Sequence, residues 1–433
     1  MYVKEMKSIL EEYLPEKEMR LFQVIAQTAE ETGMSVYLIG GIVRDILLGI
    51  QSLDVDLVVE GDGILFATVL VKKIGGKIRV HEKFCAGVIV LENGIKVDVA
   101  TARMEYYLYP GALPSIKKSS IKADLFRRDF SINSQAIKLN GKNAFFLIDC
   151  FNGQRDIKDK TIRILHNRSF IEDPTRIFRA VRFEQRFGFA LEKQTLALLE
   201  SAVKKKTLDG LSGYRVWSEL RIMLRETKPI RCIRRMKELG LFGFIHPDFY
   251  IDSNSLRGLE LIPRTITDSK VDQVLQKPET WKVYLYGLLL GTSEGVLEKI
   301  MERLNFSRRL AQRTRNDFRG CRRMLRILQN DKEPSSYELY EVFSELSIEA
   351  IFWLMALEGN GRLNQYVLLF YTQYRSIAKI SLTGNDFLAM GFETGPIFQE
   401  IFRSLRKARL EGRIKSRKDE VQFIEKKFPR VRQ

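Results

Sequence analysis

Two aspartates one residue apart, Asp54 and Asp56 in the run LDVDLVVEG, are the first residues of this chain whose type and spacing suit chemistry. On a strand, residues i and i+2 share a face, so both carboxylates converge on one spot. Side by side they repel unless a cation lies between them, and Mg²⁺ prefers oxygen ligands of this kind. Completed by substrate phosphates, such a pair can bind two metal ions that activate a hydroxyl and stabilise a departing pyrophosphate. The same pattern also ends many ordinary surface strands, so the surroundings decide its meaning. Upstream, Gly40–Gly41 marks a strand-to-helix turn, where bare amides and a helix N-terminus can approach a triphosphate. Arg44, just inside that helix, offers a cation to the same anion, or else pairs with Asp45. Asp98 in IKVDVATAR is a candidate third carboxylate or a plain solvent-facing strand residue, with Arg103 following on the same segment.

Two further runs carry clustered arginines. DLFRRDFSINS, from Asp124 to Ser134, presents two adjacent arginines, Asp129 and Asn133, which suit phosphate and ribose hydroxyl contacts. Taken alone it is also a helix start capped by Asp129, with Phe130 and Ile132 in a core. EDPTRIFRAVRFEQRFGF, from Glu172 to Phe189, opens with Asp173 before Pro174, which suits an N-cap followed by proline at the first helical position. Arg176, Arg179 and Arg182 then recur every three residues, laying guanidiniums along one helix flank while Ile177, Ala180 and Val181 take the buried one. The bland counterpart is a solvated arginine stripe.

These residues need elements to position them. Residues 1–34 read as helix, with Leu21, Ile25 and Ala29 at helical spacing. VYLIGG is a short buried strand ending in the glycine turn, and VRDILLG is a short helix. In LDVDLVVEG, Leu53, Val55, Leu57 and Val59 alternate with Asp54, Asp56 and Val58, which is strand periodicity. KIRV, AGVIVLE and GIKVDVATAR predict further strands, with Asn93–Gly94 as a hairpin turn. The segment YLYPGALPSIKK, residues 107–118, predicts a loop inside this α+β head of about 150 residues. Beyond Thr161, amphipathic stretches punctuated near Gly210, Pro229, Pro247, Pro263, Pro334 and Gly384 predict an all-helical remainder.

Composition narrows the class. At 433 residues the chain exceeds one ordinary domain, and 45% hydrophobic with 29% charged residues is globular composition. The net charge of +17 favours a polyanionic partner. Residues 301–330 carry nine Lys/Arg against two acids and residues 401–433 twelve against four, together 15 of the 17 excess charges. Each run alone is ordinarily a solvated helical face; two of them beside a phosphate-handling motif point to RNA. Cys85, Cys150, Cys232 and Cys321 are far apart, which suits a reducing cytosol and neither a disulfide framework nor a zinc site. The start, MYVKEMKSILEEYL, lacks the apolar run of a signal peptide, and no membrane span is expected, so a cytoplasmic location follows.

GGIVRDILLG…LDVDLVVEGD, RRDFSIN, IDCFNGQRDI and EDPTRIFRAVRF together resemble the class II tRNA nucleotidyltransferase and poly(A) polymerase family. The motifs stand in the family's order over residues 36–189, SGYRVWSELRIML looks like a weaker fifth motif, and residues 381–412 resemble the tail of longer bacterial members. The resemblance implies an α+β fold: an N-terminal helical segment over 1–34, then a nucleotidyltransferase head with a mixed sheet over 35–160. All-helical neck (161–228), body (229–345) and tail (346–433) domains follow. It places Mg²⁺ on Asp54 and Asp56; Asp98 stays a candidate further catalytic carboxylate on its own strand position. The resemblance puts the triphosphate on Gly41 and Arg44, sugar and phosphate contacts on Arg128 and Asp129, base reading and nucleotide holding on Asp173, Arg176, Arg179 and Arg182, and a hinge role near Asp149 and Gly153. Gly40, Asp45, Arg103 and Asn133 join the expected nucleotide-binding set from their own positions in the sequence. The implied partners are ATP, CTP and the tRNA acceptor arm and 3′ end.

Hydrogen-bond arithmetic supports the base-reading part of that set. Arginine offers only donors and ionised aspartate only acceptors. Cytosine and adenine each present a ring-nitrogen acceptor beside an amino donor, so Arg176 with Asp173 satisfies both. Uracil and guanine put an N–H where the arginine points, leaving buried donors unpaired at about 1–3 kcal/mol each. That accounts for selecting C and A but not for their order. The chain departs from the family pattern in FSINS, where FTINA is commoner; Ser131 retains the hydroxyl. The scattered His81, His166 and His246 form no phosphohydrolase His–Asp pair, and the chain begins almost directly at the head. Full CCA addition is the expected activity; A addition, CC addition and poly(A) synthesis share every motif. An inactive tRNA-binding protein would have lost the carboxylates or glycines, and a phosphohydrolase needs a nucleophile-plus-acid pattern such as DxDxT, whereas Asp56 is followed by Leu57 and Val58.

Overall fold

The structure is a computed structural model that describes residues 2–13, 16–51, 55–109, 111–112, 114–267, 271, 274–359 and 361–428. Asp54 lies outside the described residues. The chain forms two compact units, residues 1–220 with 231–244, and residues 221–230 with 245–433.

The first unit is built on an eight-stranded mixed sheet. Its strands in chain order are β1 (Tyr2–Glu5), β2 (Ser35–Ile39), β3 (Val55–Glu60), β4 (Lys77–His81), β5 (Ala86–Val90) and β6 (Lys96–Thr101). A separate hairpin of β7 (Arg103–Tyr106) and β8 (Ser115–Lys118) precedes β9 (Gln135–Lys138) and β10 (Phe146–Asp149), which return to the large sheet. Its spatial order is β1-β10-β9-β2-β3-β6-β5-β4. Among the described strands of this sheet only β3 and β6 pair in parallel; they are separated in sequence by a helix and the β4–β5 hairpin.

Alternation along β3 sorts its side chains. Val55, Leu57 and Val59 enter the core beneath the helices α1 (Lys7–Tyr13), α2 (Glu16–Thr32), α3 (Gly41–Leu48) and α4 (Gly63–Ile74), with Leu21, Phe22, Phe66 and Leu70. Val58 joins Tyr37, Ile39, Ala136 and Ile148 on the opposite face, covered by α5 (Ile121–Phe126). Asp56 therefore belongs to that second face, because side chains alternate with period two. β6 repeats the pattern, with Val97 and Val99 in the first core and Asp98 on the far side.

Four expectations are corrected. Residues 1–34 are not all helical: Tyr2–Glu5 pairs antiparallel with β10, since an edge strand offers ladder partners that no local helix supplies. Residues 107–118 are not one loop, because Ser115–Lys118 pairs with Arg103–Tyr106. The part beyond Thr161 is not wholly helical: Thr161–Ile162 and Ala190–Leu191 form a two-stranded parallel sheet. Pro263 does not end a helix but sits inside Ser253–Thr267.

Helices α6 (Gly153–Lys158), α7 (Ser169–Glu172), α8 (Thr175–Phe187), α9 (Lys193–Lys204) and α10 (Gly213–Met223) follow. Asp149 ties the start of α6 by accepting from Gly153 N at 2.9 Å and Gln154 N at 2.9 Å. A Cβ on Gly153 would meet the Ser131 carbonyl oxygen at 2.4 Å, so only glycine fits there.

The second unit is helical. Trp353 fills the space left by glycines on two neighbouring helices: a Cβ on Gly258 or Gly287 would lie 2.9 Å from its ring. The long basic helix Arg308–Gln329 is less free than its charge suggests. Arg315 binds Glu298, Arg319 binds Glu294, and Arg323 binds Glu341 and Glu345, so acids of adjacent helices offset part of the excess. Among the described residues no helix is long and apolar enough to cross a membrane.

Candidate active site

A cavity of about 680 Å³ in the first unit gathers most of the expected site residues: Gly40, Gly41, Arg44, Asp56, Arg128, Asp129, Asn133, Asp173, Arg176, Arg179 and Arg182 all line it. It opens where β2 ends. Gly40 has φ 75° and ψ −135°, which glycine alone adopts without strain, and it turns the chain into α3. A Cβ there would stand 3.3 Å from Asp56 Oδ2 and 3.3 Å from Arg128 Nη1, so a bare backbone is needed beside both charges.

Register brings the carboxylates together. Asp56 is the Cα partner of Asp98 across the parallel β3–β6 ladder, so the two acids sit side by side on one face. Asp98 is solvent-facing, as its plainer reading expects, and it is also the neighbour of Asp56 across the ladder. It lines an adjoining cavity of about 530 Å³, which Asp56, Arg103 and Arg128 share. Two expected nucleotide contacts do not reach the first cavity. Arg103 turns to Glu105 and to the Phe84 carbonyl, and Asp45 is buried against Arg44. The cause is charge pairing: each has an opposite partner nearer than the cavity.

Arg44 is buried, bonds Asp45 Oδ1 through Nε (2.9 Å) and Nη2 (2.7 Å), and reaches Asn133 Oδ1 at 2.6 Å. Burial pulls its guanidinium below the ordinary arginine value, and Asp45 opposes that pull. Its Cζ lies 4.7 Å over the Phe187 ring, while Arg182 lies 4.5 Å over Phe183, so α8 supplies an aromatic floor for the cations. Arg182 and Arg176 are buried, so the arginine ladder is no solvated stripe.

Asp173 is not the N-cap expected of it, since Pro174 takes that position; its Oδ1 accepts from Thr175 N at 3.0 Å and also takes Arg215 Nη2 at 2.7 Å. Helix α8 begins at Thr175, one residue after the expected start. Arg176 donates to Ser169 Oγ and to the Arg127 carbonyl, each at 2.6 Å. Both of these acceptors are neutral, and the Arg176 charge also acts on the nearby Asp129 carboxylate. Arg128 Nε is buried with no hydrogen-bond partner among the described residues, an orphan donor at the edge of the cavity.

Asp129 organises the centre. Its Oδ1 takes Phe130 N at 2.8 Å and Asn133 Nδ2 at 3.0 Å, while Oδ2 takes Arg179 Nε at 2.8 Å and Nη2 at 2.6 Å. Burial would raise this carboxyl, but the Arg179 guanidinium and the Asn133 amide hold it down at about 2. A carboxyl depressed from its unfolded value near 4 stabilises the fold above that value and loses the contribution as pH falls through about 2. We therefore expect Asp129→Asn to be less stable than the wild type at pH 7, by on the order of 2 kcal/mol. The gap between their thermal midpoints should close between pH 4 and pH 2, and a pH-independent gap would refute the assignment.

Residues 36–163 match the model of the poly A polymerase head domain, and residues 188–251 match that described as the probable RNA and SrmB-binding site of polymerase A. An A-adding tRNA nucleotidyltransferase of Geobacter sulfurreducens is 38% identical over 424 residues, 97% of this chain but 48% of that protein, so the chain spans about half that relative's length. An A-adding tRNA nucleotidyltransferase of Halalkalibacterium halodurans is 31% identical over 95% of this chain and 92% of its own length. The chain belongs to the tRNA nucleotidyltransferase and poly(A) polymerase family. Solved structures agree. A CCA-adding enzyme in apo form II superposes with TM-score 0.81 at 32% identity, covering 98% of this chain and 99% of that one. A CCA-adding enzyme complexed with ATP gives 0.81 at 30% identity over 98% and 99%. The Thermotoga maritima CCA-adding enzyme complexed with tRNA gives 0.75 at 30% identity over 98% of each chain.

Nucleotidyltransferases of this family use divalent metal ions, and the residues here suit one: hard carboxylate oxygens of Asp56 and Asp98 lie in register, while the neighbouring glycine turn and the orphan Arg128 donor suit the phosphates such an ion would bridge to. Sequence reasoning missed several residues of this cavity, including Glu105, Tyr107, Phe183, Arg215 and Glu219, whereas Arg127 was one of the two adjacent arginines it singled out. The motif SGYRVWSELRIML was visible, and its Arg215 and Glu219, one helical turn apart, were its legible signal. Nothing local marked Glu105 or Tyr107.

Proposed function

We propose that this protein is a template-independent nucleotidyltransferase that adds nucleotides from CTP and ATP to the 3′ end of tRNA, completing or repairing CCA. One observation carries the reading: Asp56, the Gly40–Gly41 turn, Arg128, Asp173 and Arg176 line a single cavity, so metal, triphosphate and base contacts share one site. Relatives named for A addition to tRNA, and neighbours solved with ATP and with tRNA, support it.

Asp54 and Asp56 would hold Mg²⁺, with Asp98 beside them. Bound there, the cations lower the pKa of the attacking 3′-hydroxyl and neutralise charge on the departing pyrophosphate. The Gly41 amide, Arg44 and Arg128 hold the phosphates, so the α-phosphate is presented to the hydroxyl in line. Asp129 and Asn133 orient Arg179 and Arg44 and offer ribose contacts. Asp173 and Arg176 accept cytosine or adenine and leave uracil and guanine with facing donors. We assign the head to 35–160 after an N-terminal segment over 1–34, the neck to 161–228, the body to 229–345 and the tail to 346–433. The basic body and tail track the acceptor arm by shape and charge, a hinge operates near Asp149 and Gly153, and the protein works in the cytoplasm.

A second reading, addition of the terminal A alone, is favoured by the names of the two relatives above. Purified protein with labelled CTP or ATP and tRNAs ending at the discriminator base, at C and at CC separates the two. Full CCA addition labels all three acceptors. Labelling only the CC-ended tRNA, from ATP, replaces it with A addition. Long ladders indicate a polymerase, and no labelling removes the function.

A further inference from the structure

The carboxylate that fixes the geometry of this cavity does not line it. Asp124 is fully buried near the end of α5 and lines none of the described cavities next to the site. Its Oδ1 accepts from Arg127 Nε at 3.0 Å, Arg127 Nη2 at 2.7 Å and the Arg103 amide at 3.2 Å, and its Oδ2 accepts from Arg128 Nη2 at 3.1 Å.

Arg127 is gripped from the other side as well, because its Nη1 donates to Glu105 Oε1 at 3.0 Å. Although Arg127 lines the cavity, three of its guanidinium nitrogens are thus committed to protein carboxylates. What it offers the site is its main-chain carbonyl, which takes Arg176 Nη2 at 2.6 Å. Arg128, the neighbour, has its Nη1 3.3 Å from where a Gly40 Cβ would stand, on the phosphate side of the cavity. One hidden acid therefore holds two arginines, and through them the phosphate side and the base side of the cavity. Burial by itself raises the Asp124 carboxyl; the Arg128 and Arg127 guanidiniums overcome this and keep it ionised below the usual carboxylate range.

We propose, resting on the nucleotide reading above, that Asp124 is a positioning residue that sets the phosphate-holding Arg128 and the base-reading Arg176 in one frame, coupling triphosphate affinity to base selection. Asp124→Asn is the informative change. It keeps the shape but turns one oxygen into an N–H donor, and every donor that oxygen faced belongs to an arginine or an amide. Whichever way the new amide turns, a donor meets a donor, at Arg128 or at Arg127.

The test is calorimetric titration of the full chain with MgATP and with MgUTP, without tRNA, beside a thermal melt. Asp124→Asn is expected to bind ATP about tenfold more weakly and to lose most of the preference for ATP over UTP. Asp156→Asn is the comparison: that carboxylate is also buried, accepts from Ser131 and Arg163, and lines none of the described cavities next to the site. It should lower the melting temperature and leave ATP affinity and the ATP:UTP ratio in place. If Asp124→Asn does not fold, Asp124→Glu carries the test: it keeps the charge but displaces it by one methylene, and at least about a threefold loss of ATP affinity is expected.

Wild-type affinity and ratio in whichever Asp124 variant folds would overturn the proposal, as would equal losses in Asp156→Asn. A wild-type protein that binds ATP but labels no tRNA would overturn the proposed function and leave this inference standing on the binding data. A wild-type protein that binds no ATP overturns both.

Discussion

Asp56→Ala should abolish nucleotide incorporation, with kcat falling by about a thousandfold or more, while tRNA affinity stays within about twofold. The two effects separate because they arise from different parts of the chemistry. Asp56 lines the two adjoining cavities of the site, in register with Asp98 and 3.3 Å from the place a Gly40 Cβ would occupy. On the proposed reading, removing it would take away a metal's oxygen ligand where charge develops on the reacting phosphate, worth several kcal/mol of transition-state stabilisation. RNA affinity comes mainly from backbone phosphates meeting dispersed lysines and arginines, so one carboxylate contributes little to it. Asp54→Ala should behave in the same way. Labelled-nucleotide incorporation and filter binding on the same preparations decide the matter. Activity above about a tenth of wild type would remove the metal assignment, because it would leave several kcal/mol of catalysis unaccounted for.

Arg176→Ala should collapse base selectivity. With CTP or ATP, kcat/KM is expected to fall by about ten- to a hundredfold, while incorporation from UTP falls far less, so the preference approaches unity. The guanidinium is buried, its protein acceptors are neutral, and Asp173 nearby already accepts from Thr175 N and holds Arg215. The donor that would oppose uracil therefore resides on Arg176, and truncating it removes the clash together with the attraction. Competition assays with paired nucleotides read the ratio directly. A uniform loss across all four nucleotides would mean that Arg176 supports the fold and does not read the base. The melting temperature shows how much of any loss is structural, because the bonds to Ser169 and to the Arg127 carbonyl disappear with the side chain.

The charge pattern carries a related lesson. The helix Arg308–Gln329 lies in one of the two most basic stretches, yet Glu294, Glu298, Glu341 and Glu345 from neighbouring helices bind its arginines. Counting charge along the sequence overstates the field this helix presents, because the count ignores what folds beside it.

Local information alone determined a good part of this protein. Period-two alternation in LDVDLVVEG put Val55, Leu57 and Val59 in a core and Asp56 on the opposite face. The glycine turn at Gly40, the hairpin at Asn93–Gly94 and the helix after Pro174 were each legible from a few adjacent residues, because turn conformation and side-chain direction depend on nearest neighbours. Tertiary structure alone decided which of these pieces meet. Asp98 comes into register with Asp56 only because a helix and a hairpin intervene before the parallel strand. Arg179 finds Asp129 and Arg176 finds the Arg127 carbonyl across about fifty residues of chain. Arg103 and Asp45, plausible ligands by position, are claimed by Glu105 and Arg44. Tyr2–Glu5 joins the sheet because β10 is there to receive it. Periodicity states which face a side chain takes, whereas the identity of the group opposite it is set by packing between distant segments, which no local pattern encodes.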